Sequence, residues 1–235
     1  MFGPGGPTLR ELYEQAMSST ERGYDLLAPK FDRTPFRTPA IVIERALEGI
    51  ATVDDALDLC CGTGAALELL APRTKRRLVG VDFSRAMLDV ARASLEGIAS
   101  EARLELHRGD VLALDVEGPF DLVTCFGALG HLSEAAMPGL VERVRSVLRP
   151  GGRFVFVTGE RPAWHARRAL VSRAFNAAMH LRNALFDPPF VMFYLRFLRP
   201  EAERLLRGKG YSVEARPLGL EGPWGGGVAV VATKI

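Results

Sequence analysis

From Leu57 onward, short apolar segments alternate with amphipathic helical segments, and this alternation limits the possible folds more than any other feature of the chain. Each apolar segment has the length and β-branched content of a buried strand. Strands that alternate with helices build a largely parallel sheet with helices on its faces. We therefore predict an α/β fold with seven strands, at residues 56–60, 77–82, 103–108, 120–126, 153–158, 211–216 and 227–233.

Two of the connecting helices can be placed from their apolar spacing and their first residues. Residues 84–95 begin with Ser84 as an N-cap, and apolar residues follow on one face. Residues 133–148 repeat this design behind Ser133. Pro150, Gly151 and Gly152 then predict a turn into the next strand.

Two segments depart from the alternation. Residues 9–49 are predicted to form two helices separated by the proline-rich stretch 29–39, placed before the first strand as a cap or lid would be. Residues 161–200 form a connection far longer than usual, and such insertions are commonly functional. We therefore divide the chain into a helical cap, residues 1–50, and an α/β domain, residues 51–235, with an inserted segment at 161–200.

Composition excludes several classes of protein. With 235 residues, 48% hydrophobic and 25% charged, the chain is predicted to form one or two globular domains, which excludes disorder and fibres. A net charge of +2 does not favour nucleic acid as a partner. The three cysteines form no C-x-x-C pair, so we expect a reducing compartment and no metal site. We find no signal-peptide core and no long apolar run, so we expect a cytoplasmic protein without a membrane span.

The densest local signal lies in residues 56–71, ALDLCCGTGAALELLA, which combine a strand, a glycine turn and a helix. Gly62 and Gly64 let a ligand approach the backbone, and the following helix N-terminus offers free N–H groups. Asp82 ends the second strand, where a carboxylate can accept hydrogen bonds from both hydroxyls of a ribose. The pattern predicts a nucleoside site.

The missing third glycine narrows the choice of nucleoside. A dinucleotide site needs G-x-G-x-x-G, but the sixth position counted from Gly62 is Leu67, so the pyrophosphate cradle is incomplete. A ligand with a ribose, no phosphate and a cationic head would explain this loss and also the carboxylate Asp58 on the first strand. S-adenosylmethionine fits that description.

Five motifs in order resemble those of the class I S-adenosylmethionine-dependent methyltransferases, and the likeness runs from Val53 to the C-terminus. In the first motif, Cys60 stands where a glycine is usual. The family likeness implies a Rossmann-like, mostly parallel sheet of order 3-2-1-4-5-7-6 with an antiparallel final strand. The motifs are DLCCGTG at 58–64, VDFSRAML at 81–88, HRGDVLAL at 107–114, FDLVTCFGALGHL at 120–132 and LRPGGRFVF at 148–156.

The same resemblance implies a role for each cofactor residue. Asp82 would hold the ribose, with Phe83 and Met87 beside the adenine. Asp110 would accept a hydrogen bond from the adenine amino group, and the Val111 N–H would meet a ring nitrogen. The methionine portion would lie against Cys125 and Phe126. The implied cofactor-binding set is therefore Asp58, Cys60, Gly62, Gly64, Asp82, Phe83, Met87, Asp110, Val111, Cys125 and Phe126.

The reaction implied is an in-line displacement at the sulfonium methyl, in which positioning and desolvation supply most of the rate. His131 follows the fourth strand on the side where ligands bind, so it is a candidate base, although a histidine there can also cap a helix. Tyr24 in the cap is a second candidate that could touch the substrate or simply pack in the lid. The cysteines are interpreted as small buried residues.

Residues 161–186 contain five arginines and no acidic residue, with apolar residues at helical spacing. Five aromatic residues follow within the thirteen residues of 186–198. This basic amphipathic helix and its aromatic neighbour could form an apolar acceptor pocket with a cationic rim, contact an anionic membrane at 161–198, or pack on the core with solvated arginines.

We predict methyl transfer from S-adenosylmethionine to a small hydrophobic metabolite, with oxygen, nitrogen and carbon acceptors all open. YDLLAPKFD at 24–32 is similar to the start of quinone-biosynthesis C-methyltransferases. The alternatives are a phospholipid or membrane-associated quinone methyltransferase and a non-catalytic S-adenosylmethionine-binding module. We expect no nucleic-acid partner, because no Asn/Asp-Pro-Pro-Tyr-like motif follows the fourth strand.

Overall fold

The computed structural model describes residues 5–98, 100–113 and 115–235, apart from the side chain of Arg168. Its seven strands form one sheet in the order β3-β2-β1-β4-β5-β7-β6, in which β7 is antiparallel to both of its neighbours and the other pairs are parallel. The predicted Rossmann-like class and strand order are confirmed. The strands are β1 Val53–Leu59, β2 Thr74–Asp82, β3 Arg103–Arg108, β4 Phe120–Cys125, β5 Leu148–Gly159, β6 Tyr211–Pro217 and β7 Gly227–Lys234.

Strand β5 begins earlier than the glycines predict. Leu148 already pairs with Phe120 of β4, and the register shifts before Arg153 resumes regular pairing. The segment with Gly151 at φ +75° is therefore an irregularity within the strand rather than a turn ahead of it. A bulge of this kind lets an extra stretch of backbone remain in the sheet without breaking the register that follows.

The described helices surround this sheet. The prediction of a single helix before the proline-rich stretch is wrong, because Ser19 starts a new helix by accepting a hydrogen bond from the Arg22 N–H at 3.2 Å. No helix in the described ranges combines the length and the apolar character needed to cross a bilayer. The helices are α1 Leu9–Ala16, α2 Thr20–Leu27, α3 Ala40–Ala46, α4 Ala65–Leu70, α5 Arg85–Leu95, α6 Met137–Val147, α7 Arg167–Leu185 and α8 Arg199–Gly208.

Two apolar clusters bury the sheet. Every residue of β4 is buried, as expected for a central strand covered on both faces. Val42 and Ile43 of α3 are fully buried in the same cluster as Ala56 of β1 and Leu122 of β4. Helix α3 is thus packed on the α/β core, and the division of the chain at residue 50 stays a prediction.

One buried carboxylate ties three strands together at their amino ends. Asp121 on β4 accepts hydrogen bonds from the backbone N–H groups of Asp54 at 2.7 Å and Asp55 at 2.9 Å. Its other oxygen lies 2.7 Å from Nε of Arg149 on β5, and only 6% of the Asp121 side chain is exposed. The carboxylate therefore joins β1, β4 and β5 opposite the edge where ligands bind in such sheets.

Replacing Asp121 with alanine should lower the free energy of unfolding by about 3 kcal/mol, because the buried Asp55 N–H and the partly buried Asp54 N–H lose their acceptor and Arg149 loses its partner. Asp121→Asn keeps an acceptor oxygen and should lose only about 1 kcal/mol. Urea unfolding with an unchanged m-value measures both. Equal losses in the two variants would contradict this role for the carboxylate.

Candidate active site

A cavity of about 310 Å³ lies at the carboxyl ends of β1, β2 and β4. The strand order reverses between β1 and β4, and open α/β sheets bind ligands in the crevice formed at such a point. The cavity brings together most of the residues predicted from the motifs and both catalytic candidates: Asp58, Cys60, Gly62, Asp82, Phe83, Met87, Phe126, Tyr24 and His131.

The glycine turn has a left-handed backbone at three alternate positions. Gly62 has φ +53°, and a Cβ built there would meet no atom within 4 Å. Gly64 has φ +92° and precedes α4, and a Cβ there would lie 3.3 Å from the Ala91 Cβ. Cys60, where the family usually has glycine, also has φ +53°, which costs a residue with a side chain about 1–2 kcal/mol. The turn therefore keeps its geometry despite the cysteine.

Asp82, at the end of β2, holds this turn in place. One carboxylate oxygen accepts a hydrogen bond from the Gly62 N–H at 2.9 Å, and the other accepts one from the Ser84 N–H at 2.9 Å. Each oxygen keeps a second lone pair for a ligand. Burial raises the pKa of Asp82 to about 6, although backbone hydrogen bonds from Ser84, Gly62 and Phe83 oppose the shift.

Asp58, near the end of β1, is a second buried carboxylate, with 2% of the residue exposed. It accepts a hydrogen bond of 2.6 Å from the hydroxyl of Thr124 on β4, a partner that the sequence analysis missed. Burial raises the pKa of Asp58 to about 7. Within the described part of the chain, no lysine or arginine forms an ion pair with Asp58 or Asp82. The cavity is therefore suited to a ligand that brings its own positive charge.

Tyr24 and His131 form a hydrogen-bonded pair at the wall of the cavity. His131 Nδ1 lies 2.6 Å from the carbonyl oxygen of Val191, so Nδ1 must carry the hydrogen. In the neutral ring Nε2 then accepts, and the Tyr24 hydroxyl donates to it across 2.7 Å. Burial lowers the pKa of His131 and raises that of Tyr24. The geometry therefore holds a neutral imidazole with its accepting nitrogen turned toward a phenol.

The cysteines have no reactive character. A hydrogen bond with Cys125, together with burial, raises the pKa of Cys60, and burial raises the pKa of Cys61. Thiols with raised pKa values are poor nucleophiles at neutral pH. The interpretation as small buried side chains fits Cys61 and Cys125, whereas Cys60 is half-buried at the wall of the cavity.

Four of the predicted cofactor residues do not line the cavity. Gly64 shapes the turn behind it, and Cys125 is buried beneath Cys60. Val111 is also buried, whereas Asp110 is exposed and accepts a hydrogen bond from the nearby Leu112 N–H at 2.9 Å. Leu114, the last residue of the third motif, lies outside the described residues.

The cap and the insertion supply the wall that sequence motifs did not reveal. Asp25 accepts a 2.6 Å hydrogen bond from Ser84 Oγ, and Asp32 accepts one of 2.6 Å from Thr63 Oγ1. These contacts attach the cap to the glycine turn at Thr63 and to the start of α5 at Ser84. In the sequence, the proline-rich composition was the available signal for the part of the wall that the cap supplies. The wall includes Phe31, Pro35, Phe36, Arg37 and Thr38 of the cap, together with Met192, Tyr194 and Trp224 from later in the chain.

A second cavity, of about 260 Å³, adjoins the first. The two share His131, Met192, Tyr194 and Trp224, among other residues. Among the described residues that line this cavity, Arg196 is the only charged one apart from the titratable His131, and the Arg196 guanidinium lies 4.8 Å from the ring centre of Phe193. The remaining lining is mainly apolar, and includes Leu129, Val157, Leu195 and Leu198.

The fold and the site define a Rossmann-like α/β protein with a nucleoside-type cavity at the reversal of strand order. Residues 56–152 match the family described as a methyltransferase domain. This part of the chain is therefore similar to the methyltransferase domains, and the recognition of class I S-adenosylmethionine-dependent methyltransferase motifs is confirmed.

Named relatives match a little under half of the chain. Demethylmenaquinone methyltransferase of Lactococcus lactis is 36% identical over 111 residues, which cover 45% of this chain and 42% of the relative. The 2-phytyl-1,4-naphtoquinone methyltransferase of Synechococcus elongatus is 35% identical over 114 residues, which cover 46% of this chain and 47% of the relative. The match thus spans less than half the length of each relative. In the solved DhpI–SAM–HEP complex, 96% of this chain aligns with 99% of that chain at 20% identity and a TM-score of 0.66, which shows a common fold.

NMR titration should show that His131 has a pKa below the ordinary value of about 6.5, with the hydrogen of the neutral ring on Nδ1. Tyr24→Phe should raise that pKa, because the phenol's hydrogen bond to Nε2 favours the neutral ring. A His131→Gln variant assigns the resonance. Finding the neutral ring with its hydrogen on Nε2 would contradict the hydrogen-bond arrangement.

Proposed function

We propose that the chain transfers a methyl group from S-adenosylmethionine to a small apolar acceptor. The observation that carries this proposal is a pair of buried carboxylates, Asp58 and Asp82, that face one cavity without a cationic partner in the described residues. A mainly apolar second cavity adjoins it. A sulfonium nucleoside fits the first cavity by charge, and an apolar acceptor fits the second.

The residues present suit each part of the cofactor. The free lone pairs of Asp82 would accept from the ribose hydroxyls, and Phe83 and Met87 would flank the adenine. Asp58 would lie toward the cationic amino-acid end, where its charge stabilises a positive group in a low-dielectric site. Asp110 and Val111 stay proposals for the adenine edge. S-adenosylmethionine supplies, when bound, an electrophilic methyl group on a positively charged sulfur.

The chain's own contribution is positioning, exclusion of water and proton transfer. The cap and insertion cover the cavity, so an acceptor in the second cavity would approach the first beside Tyr24 and His131. An acceptor hydroxyl can give its proton to Tyr24 Oη while Tyr24 passes its own proton to His131 Nε2. The Val191 carbonyl then accepts from Nδ1 of the charged ring. An acceptor without a proton to lose needs positioning alone.

A ring-containing acceptor of quinone type is our more specific proposal. Both named relatives are called methyltransferases of quinones. In the second cavity, Met192, Phe193 and Trp224 would pack against a flat apolar ring. The Arg196 guanidinium, which also lines this cavity, would donate a hydrogen bond to an oxygen substituent of the ring. These contacts support a phenol, or a quinone in its reduced quinol form, more than a polar amine or a protein side chain.

Calorimetric titration with S-adenosylmethionine and S-adenosylhomocysteine tests the cofactor site. Gly62→Ala should weaken binding at least tenfold, because its Cβ enters the open space where the ligand would approach the turn. Gly151→Ala is the matched control, since Gly151 also has a positive φ and open space but lies at the amino end of β5. Both variants should lose about 1 kcal/mol of stability.

Absence of binding by the wild-type chain, or equal weakening by the two variants, would overturn the proposed cofactor site. A methyl-transfer screen with quinones, phenols and apolar acids then tests the acceptor. Transfer only to polar amines or proteins would overturn the apolar class, and saturable binding without transfer to any acceptor would favour the non-catalytic alternative.

The affinity for S-adenosylmethionine should fall as the pH is lowered through 7, because protonation of Asp58, whose pKa is about 7, removes the negative charge that faces the cation. Asp58→Asn should bind more weakly and lose most of this dependence. The stability of the ligand-free protein should change with pH in the opposite direction. Because folding raises the pKa of this carboxyl, the free energy of unfolding should fall as the pH rises from about 4 to 7. Calorimetry and thermal unfolding measure the two trends, and a ligand affinity that is flat across pH 6–8 would contradict this role for Asp58.

A further inference from the structure

Helix α7 is oriented opposite to an ordinary surface helix. Two asparagines on its inner side bind the protein backbone: Asn176 pairs through both amide atoms with Tyr194 at 2.8 Å, and Asn183 does the same with Phe190 at 3.0 Å. Arg182 donates to the carbonyl oxygen of Pro188 at 2.6 Å and to that of Ala16 at 2.9 Å. The inner side of the helix is therefore attached largely through hydrogen bonds, with Ala169 buried and Phe175 against the Tyr194 ring, and four large apolar side chains are left outside.

Those apolar residues form one continuous stripe, because their spacing of three or four residues returns to the same side of a helix. Leu170, Val171, Leu181 and Leu185 are between 52% and 66% exposed, and nearby Trp164 is 73% exposed. Exposed apolar stripes of this length mark interaction surfaces. We call this surface the α7 face, made of Leu170, Val171, Ala174, Ala178, Leu181 and Leu185.

The charge around the α7 face is positive. No Asp or Glu occurs in residues 161–186. Arg161 pairs with Glu201 and Arg182 with backbone carbonyls, but Arg167 has no partner among the described residues, and Arg173 donates only to the Trp164 carbonyl. Apolar side chains with arginines and a tryptophan, and without acids, match the headgroup region of an anionic bilayer. A second copy of the chain would place like charges together.

The α7 face also borders an open groove that adjoins the two cavities. Arg167, Val171, Phe175 and Tyr194 line an open groove, and Tyr194 also lines both interior cavities. We propose that the α7 face docks on the surface of an anionic lipid bilayer. An apolar acceptor dissolved in that bilayer would then enter beside Tyr194, a consequence that rests on the proposed function.

Co-sedimentation with vesicles of phosphatidylcholine alone, or of phosphatidylcholine mixed with phosphatidylglycerol, tests the docking. The wild-type chain should bind the anionic vesicles, with an affinity that falls as salt is added. L181S/L185S should weaken this binding at least tenfold, and R167Q and R173Q about fivefold each. Leu104→Ser on edge strand β3, where Leu104 is 38% exposed, is the matched control and should bind as the wild type does.

Two outcomes overturn the docking. One is wild-type protein that stays in the supernatant with anionic vesicles at low salt; if it still binds S-adenosylmethionine, the proposed function stands and only the docking fails. The other is a dimer, seen by analytical ultracentrifugation without lipid, that L181S/L185S dissociates, because the face would then be covered by a second copy. Vesicle binding by a chain that binds no S-adenosylmethionine would overturn the proposed function alone.

Discussion

The reversal of strand order between β1 and β4 is the constraint on which the rest of the molecule depends. Because β1 and β4 lead into connections on opposite sides, their carboxyl ends are left uncovered and a crevice opens between them. Asp58 and the glycine turn follow β1, while Phe126 and His131 follow β4. Asp82 at the end of β2 then closes one side of the crevice through its hydrogen bonds to Gly62 and Ser84. A binding site is thus a consequence of topology before any ligand is considered.

The two buried carboxylates of this crevice lower the stability of the folded protein and favour the binding of a cation. Burial without a cation raises the pKa values of Asp58 and Asp82, so at neutral pH their ionisation costs folding free energy. A bound cation would offset that cost, which couples ligand binding to the stability of the whole domain. Burial also keeps Tyr24 and His131 neutral, because it raises the pKa of Tyr24 and lowers that of His131. The Tyr24 hydroxyl donates a hydrogen bond to His131. The charges of this site therefore favour a ligand that is itself positive.

Much of the fold and the central part of the site could be predicted from the sequence, because both depend on local patterns. Strand β3 was predicted with its observed bounds, and three residues singled out from the motifs, Gly62, Asp82 and Met87, lie at one cavity. The break between α1 and α2 was missed, since Ser19 looks like any polar surface residue until its side chain caps a helix. The bulge in β5 was missed because proline and glycine normally signal a turn, whereas here strand pairing with β4 overrides them.

The sequence by itself determined the order of strands and helices, the glycine turn and the carboxylates at the strand ends, because periodicity and turn chemistry act between near neighbours in the chain. Only the tertiary structure decided which residues meet across long separations. It paired Tyr24 with His131, placed Thr124 against Asp58, and turned the apolar side of α7 outward. A helical wheel shows that α7 has an apolar stripe, but which side faces the protein depends on the asparagines that bind Tyr194 and Phe190. Those contacts are hydrogen bonds to backbone, which leave no trace in hydropathy, and they exist only after the chain has folded.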